Sequence, residues 1–205
     1  MKIEYGLKDF NASRETVNLI NNYLLLLKKW NNSINLVSRN TINNLWQRHV
    51  LDSAQLLSFV PSRVKNWVDL GSGAGFPGVI IAILARDSLP DLRMILIESD
   101  KRKCVFLGEV ARELKLDLKI VPDRIEDCPN LNADVISARA LAPLKKLLVF
   151  FTLHSNKNCR GLFLKGKNVK AEMDSLGKVD GFQLLVKPSL VCSESFVVEV
   201  KKGGN

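Results

Sequence analysis

The sequence predicts an α/β fold in which a mostly parallel seven-stranded sheet ends in an antiparallel strand pair and carries an N-terminal helical cap. Three observations predict it. Apolar residues recur at helical spacing through the first sixty residues. From Asn66 onward, short apolar runs alternate with helical stretches. Near the end, Phe182–Lys187 and Ser195–Lys201 are separated only by Pro188–Glu194, too short a loop for a crossover helix.

The elements follow in order. Val17, Ile20, Leu24 and Leu27 form one apolar stripe of a first helix, with Lys28 and Lys29 off it. A second helix is expected from Asn44 to Phe59, with Leu45, Val50, Leu56 and Leu57 for packing and Pro61 as its stop. Residues 1–62 are read as the cap and 63–205 as the main domain, forming one compact unit. In the main domain, strands are expected at Asn66–Leu70, Leu92–Glu98, Asp117–Val121, Ala133–Ala138 and Arg160–Lys165. They alternate with helices at Phe76–Arg86, Lys101–Lys115, Ala142–His154 and Val169–Lys178. Such alternation builds βαβ units and a parallel sheet.

Bulk properties bound the function. At 205 residues, with 46% hydrophobic and 25% charged side chains, the chain can bury a core without a metal or disulfide staple. Cys104, Cys128, Cys159 and Cys192 lie 24, 31 and 33 residues apart with no CxxC pair. That spacing suits free thiols in a reducing compartment, and no metal is expected. The start, MKIEYGLKDFNASRE, has no secretory apolar run, and the longest apolar runs are too short for a bilayer. A soluble, cytoplasmic protein without membrane association is expected. The net charge of +9 is uneven: residues 1–60 contribute +3, 61–130 are neutral and 131–205 contribute +6. Between Asp134 and Glu172 there are eight basic residues and no acidic one. Such a surface fits either a polyanion partner or a solvated basic face.

The most informative segment is DLGSGAGFPG, Asp69–Gly78, after a strand and opening a helix. Gly71, Gly73 and Gly75 let the backbone turn tightly and approach a ligand, and Pro77 suits a first helical turn. A dinucleotide-binding loop would read G-x-G-x-x-G, but Phe76 stands at the last glycine position. The pattern D-x-G-x-G-x-G resembles a methyltransferase cofactor loop instead. Asp69 would hold the loop or the cofactor's ammonium group. Glu98, at the second strand's end, can accept from ribose hydroxyls. Ile125 and Glu126, after the third strand, would supply an apolar wall and polar contacts to adenine.

Seven motifs then occur in order: Trp30–Ser38, Arg48–Ser53, Asp69–Gly78, Glu98–Leu107, Asp123–Asp127, Ser137–Leu144 and Phe163–Lys167. Together they resemble the GidB family of bacterial 16S ribosomal RNA guanine-N7 methyltransferases, over roughly residues 24 to 200. The resemblance implies a class I S-adenosylmethionine-dependent methyltransferase fold, Rossmann-like, with S-adenosyl-L-methionine as cofactor and S-adenosyl-L-homocysteine as product. It implies 16S ribosomal RNA or the small ribosomal subunit as partner. The sequence itself shows no obligate protein partner and gives no oligomeric state, so a monomer is the default expectation. The resemblance also implies that Gly71, Phe76, Ile125, Glu126 and Arg139 contact the cofactor. One departure is Asp123, where the family usually has glycine.

The chemistry agrees with what is missing. Guanine N7 carries an unprotonated lone pair, so alignment with the methyl group suffices and no general base is expected. Arg139, after the fourth strand, is the candidate positioning residue, with a surface salt bridge as its structural alternative. An amino-methylating Asn/Asp-Pro-Pro-aromatic motif is absent, since Ser137–Ala140 stand there. Cytosine C5 methylation needs a cysteine nucleophile, and Cys128 reads as structural. Ribose 2′-O methylation stays open through Lys165, although Arg139 stands where its aspartate should be. Arg48, His49, Lys165 and Lys167 are candidate RNA contacts, and His49 reads first as a packing or hydrogen-bonding residue. The rival classes are a nicotinamide-dependent oxidoreductase, a non-catalytic RNA-binding module, and a methyltransferase of proteins or small molecules.

Overall fold

The computed structural model describes residues 12–38, 40–60, 63–177 and 179–203. Seven strands form one sheet: β1 (Asn66–Leu70), β2 (Arg93–Ile97), β3 (Leu118–Val121), β4 (Ala133–Arg139), β5 (Ser155–Lys165), β6 (Phe182–Pro188) and β7 (Phe196–Lys202). Their order is β3-β2-β1-β4-β5-β7-β6. The first five pair in parallel, and β7 is antiparallel to both β5 and β6. The helices are α1 (Arg14–Asn31), α2 (Gly78–Ser88), α3 (Lys101–Leu114), α4 (Leu144–His154) and α5 (Val169–Leu176).

Alternation along each strand feeds two cores. Trp67, Met94, Leu96, Val135, Leu162 and Val197 face α1, α2 and α3, whereas Val68, Leu70, Ile95, Ile97, Ile136 and Phe163 face α4 and α5. The chain runs outward from β1 to β3 and then returns to β4 on the other side of β1. That reversal opens a crevice at the carboxyl ends of β1 and β4, where ligands bind in such sheets.

Helix starts follow local chemistry. Ser13 caps α1 by accepting from the Thr16 N–H at 3.1 Å. Asp100 caps α3 by accepting from the Arg102 N–H at 2.9 Å. The stripe on α1 is buried at Ile20 and Leu27 and half-buried at Val17 and Leu24. Tyr23, between them, is fully buried, and its hydroxyl donates to the Ala74 carbonyl in the glycine loop.

Three expectations need correction. The helix expected from Asn44 to Phe59 is broken. It comprises a 3-10 turn at Ile42–Asn44, a π-helical stretch at Trp46–Leu51, one α turn at Asp52–Ala54 and a 3-10 stretch at Gln55–Phe59. Its polar side chains compete for the backbone. The Ser53 hydroxyl donates to the His49 carbonyl at 2.5 Å, Gln55 Nε2 to the Asp52 carbonyl at 3.0 Å, and Ser58 to the Gln55 carbonyl at 2.7 Å. Strand β5 starts at Ser155, five residues before the expected Arg160, because polar Asn156–Asn158 give no apolar signal. Pro77 sits at the cap position and not inside the first turn of α2, which starts at Gly78. Pro61 and Lys178, expected as helix ends, lie outside the described residues, as does the N-terminal segment 1–11.

Replacing Tyr23 with Phe should leave the buried Ala74 carbonyl without its donor and lower stability by about 1–2 kcal/mol. Urea unfolding checks this, and an unchanged midpoint would mean that the α1–loop bond contributes nothing.

Candidate functional site

Behind the glycine loop lies a buried polar relay. Trp67 Nε1 donates to the Ser137 hydroxyl at 2.9 Å, and that hydroxyl donates to Asp69 Oδ1 at 2.6 Å. Asp69 Oδ2 accepts from the Gly78 N–H at 3.2 Å, at the start of α2. The carboxylate is fully buried, and burial, only partly offset by these donors, pushes its pKa up to about 6. Asp69 thus holds the loop from below and is not on the wall of the crevice.

The loop needs glycine where its backbone turns left-handed under close cover. Gly75 has φ +98°, and a Cβ there would lie 2.5 Å from Val79 Cγ2 and 3.1 Å from the Tyr23 hydroxyl oxygen. Gly73 differs: its Cβ position is open, with only the Gly71 carbonyl within reach at 3.8 Å. The loop therefore packs its Gly75 side against α1 and leaves Gly73 bare toward the crevice.

The crevice has a volume of ≈ 570 Å³, within the range of small-molecule sites. Gly71, Gly73 and Phe76 line it from the loop. Glu98 lines it from the end of β2, where its Oε2 accepts from the Gly73 N–H at 2.8 Å and its Oε1 from the Asp100 N–H at 2.7 Å. Ile125, buried, and Glu126, exposed, line it after β3. Glu126 pairs with Lys146 at 3.2 Å. Arg139 lines the opposite side, after β4.

Arg139 is held by the segment before β1. Its Nη1 lies 2.9 Å from Asp52 Oδ2, and Asp52 Oδ1 accepts from Gln55 Nε2 at 2.7 Å and from the Ser189 hydroxyl at 2.9 Å. Burial pushes the Asp52 carboxyl up and the Arg139 guanidinium down, each against the pull of the other charge. Arginine stays protonated in any case. Ala140, the next residue, takes a left-handed φ of +49°. Both line a second pocket of ≈ 320 Å³, together with Lys165, Lys167 and Asn168.

His49 lines the crevice while 8% exposed, and its ring stacks on Phe76 with centroids 4.6 Å apart. Burial, with the charges of Arg139 and Arg48, lowers its pKa to about 3. Arg48 is exposed and not on the crevice wall. Lys165 is committed elsewhere: its Nζ lies 2.8 Å from a Glu172 carboxylate oxygen and donates to the Ala142 carbonyl at 3.0 Å. Cys128 is buried, its thiol donates to the Arg124 carbonyl at 3.2 Å, and burial raises its pKa. Among the described residues no group of three or more His, Cys, Asp or Glu is placed to hold a metal, and no helix is long and apolar enough to cross a membrane.

Several wall residues carried no role in the sequence. Leu36, Val37, Ser38 and Thr41 reach the crevice from the segment before β1, and Leu141 and Phe150 from beyond β4. Asp52 was visible only as part of the Arg48–Ser53 motif.

A model of the family described as rRNA small subunit methyltransferase G matches residues 16–195. The chain belongs to that family. A Cereibacter sphaeroides protein of the name "Ribosomal RNA small subunit methyltransferase G" is 41% identical over 201 residues, 98% of each chain. One of the same name from Parvibaculum lavamentivorans is 44% identical over 93% of this chain and 85% of its own. The family is one of S-adenosylmethionine-dependent methyltransferases. The fold is class I and Rossmann-like. Among solved structures, an Aquifex aeolicus S-adenosylmethionine-dependent methyltransferase superposes with a TM-score of 0.59 at 14% identity, covering 86% of this chain and 97% of that one. A mutant of MtNAS in complex with S-adenosylmethionine gives a TM-score of 0.60 at 15% identity, covering 100% of this chain and 85% of that one.

Asp52→Ala should strand a charged guanidinium that is 22% exposed; we expect a loss of about 2–3 kcal/mol, below the value for a wholly buried pair. Urea unfolding reads it, and no loss would show that the pair is idle. The pH dependence has a definite sign. The folded pKa of His49, about 3, lies below the ordinary 6.5, so as pH falls through 6.5 the unfolded chain takes up the proton first and stability drops. Asp69 acts oppositely: its raised folded pKa, about 6 against 3.8, returns stability as pH falls between those values. His49→Phe removes only the first contribution, so its unfolding midpoint should decline less steeply than that of the unaltered protein from pH 6.5 to 5. Parallel curves would contradict the depressed imidazole.

Proposed function

We propose that the protein transfers a methyl group from S-adenosyl-L-methionine to N7 of a guanine in 16S ribosomal RNA. The carrying observation is the chemistry of the crevice wall beside Arg139. Beside Arg139 it offers a guanidinium and a buried imidazole of lowered basicity, while the carboxylates of the crevice, Glu98, Asp123 and Glu126, lie on the loops after β2 and β3 across from it. An acceptor that must lose a proton would be poorly served there, and guanine N7 needs none.

The residues present fit the cofactor. The bare face of Gly73 leaves room for close backbone approach, Glu98 keeps lone pairs for ribose hydroxyls, and Ile125 offers an apolar wall. When bound, S-adenosylmethionine supplies a methyl group on a sulfonium, open to in-line displacement. With N7 as acceptor, the new N–CH3 bond would form from its own lone pair while the S–CH3 pair returned to sulfur, so this chain's residues would have no proton to move. The chain's contribution is alignment. The glycine loop, Glu98, Ile125 and Glu126 hold one partner, and Arg139, fixed by Asp52, orients the reacting groups from the opposite wall. The described residues before Asn66 act as a cap over the crevice, closing it against water. Lys167 and exposed Arg48 supply phosphate contacts. Lys165, tied to Glu172, shapes the second pocket and offers its charge less freely. The same reading has the protein working in the cytoplasm as a monomer on RNA or the small subunit.

The test is tritium transfer from labelled S-adenosylmethionine to small ribosomal subunits from cells lacking the protein, followed by nucleoside analysis. Label should appear in 7-methylguanosine, and Arg139→Ala should lower the rate by about 100-fold or more while the far-ultraviolet spectrum stays unchanged. Label in another nucleoside, or a fully active Arg139→Ala, would reject the reading.

A further inference from the structure

Between the end of β4 and the start of α4 the chain passes through a short loop, residues 140–143. This loop is the partition between the two pockets. Ala140 lines both, and Leu141 and Ala142 line the crevice. Leu141 is seated on the glycine loop: a Cβ at Gly71 would lie 2.5 Å from Leu141 Cδ1, so only a bare Gly71 lets it approach. At Ala140 the backbone is left-handed, with φ +49°, a conformation that a residue with a Cβ keeps only where its surroundings enforce it. Something must hold the loop in place.

Two side chains do so, both from the second pocket. Lys165, the last residue of β5, donates from Nζ to the Ala142 carbonyl at 3.0 Å. Glu172, on α5, accepts from the Leu144 N–H at 2.7 Å, at the start of a helix whose cap position is filled by Pro143 with no side-chain bond of its own. The two then close on each other, with Lys165 Nζ 2.8 Å from Glu172 Oε2 and the side chains only 11% and 25% exposed. An ion pair this far out of water gains little stability over an apolar pair of the same shape, so what it contributes is geometry. The lysine's charge is already engaged. To meet a phosphate, the ammonium would have to leave both Glu172 and the Ala142 carbonyl. Lys167, two residues on, is exposed, and a phosphate can reach it directly.

We propose that Lys165 and Glu172 are positioning residues of the cofactor site, acting through the loop and touching neither cofactor nor RNA. From the second pocket they pin the backbone on both sides of Pro143. Leu141 thereby stays on Gly71, and the point where Arg139 leaves β4 is fixed. The motifs Ser137–Leu144 and Phe163–Lys167, apart in the chain, become two halves of one device. Without the pair, Ala140 relaxes from its left-handed form, Leu141 lifts away, and the crevice loses its wall over the glycine loop.

The test uses the full chain with Lys165→Met, Glu172→Met and the double variant. In protein with an unchanged far-ultraviolet spectrum, each single variant should weaken S-adenosylhomocysteine binding about fivefold. It should lower kcat on small subunits about 10- to 100-fold, as a displaced wall does, while KM for subunits holds. The salt dependence of subunit binding should not change. The double variant should differ from either single one by no more than about twofold, because the two act as a unit. A phosphate contact predicts opposite signs. Glu172→Met would then free the lysine and tighten subunit binding, and Lys165→Met would lower the salt slope by about one with S-adenosylhomocysteine binding intact. Either result overturns the proposal. So does a lowered melting temperature with cofactor affinity and kcat both intact, the mark of a pair that only stabilises. The kcat arm rests on the small-subunit reading above. If the unaltered protein labels no guanosine in subunits, that reading fails, and the S-adenosylhomocysteine arm still decides this one.

Discussion

A carboxylate without water around it sits at the centre of this fold. Asp69 joins the end of β1 to β4 through Ser137 and to the start of α2 through the Gly78 amide. Burying it is costly, as its raised pKa shows. The cost is offset only when all its partners are in place, so the group penalises every loop conformation but one. The shape of the glycine loop, the bareness of Gly73 and the position of Glu98 all follow from that restraint.

The second restraint crosses the molecule. Asp52, from the broken helical segment, grips Arg139 after β4 and is itself gripped by Gln55 and by Ser189 from the loop between β6 and β7. Gln55 also accepts from the Leu190 N–H at 3.0 Å. Three stretches far apart in sequence thereby meet on one guanidinium. An arginine so held loses little conformational entropy when it meets a ligand, which is the physical content of preorganisation.

How much of this was legible depends on the range of the interaction involved. The parallel strands showed because both of their faces are covered, so Met94–Ile97 reads as a continuous apolar run and Trp67–Leu70 as one interrupted only by Asp69. The glycine loop showed because backbone geometry restricts residue type directly. The antiparallel pair of β6 and β7 showed because its connection is too short for anything else. The segment from Asn44 to Phe59 misled, because its apolar spacing is helical while Ser53, Gln55 and Ser58 pull the backbone out of register. Asp52 and Arg139 stand 87 residues apart, and no local pattern announces such a pair. Lys165 looked like a free cation because its partner, Glu172, becomes adjacent only through the packing of α5.

Strand β7 lies between β5 and β6 although it follows both in the chain. During synthesis β6 therefore leaves the ribosome with no neighbour to pair with, and the growing sheet ends at β5. Only when β7 emerges can it slot between them, completing both ladders in a single event. Until then the edge of β5, apolar from Leu162 to Leu164, stays open to the wrong strand. The β5 edge of the sheet is thus completed late, by the strand that is made last of the seven.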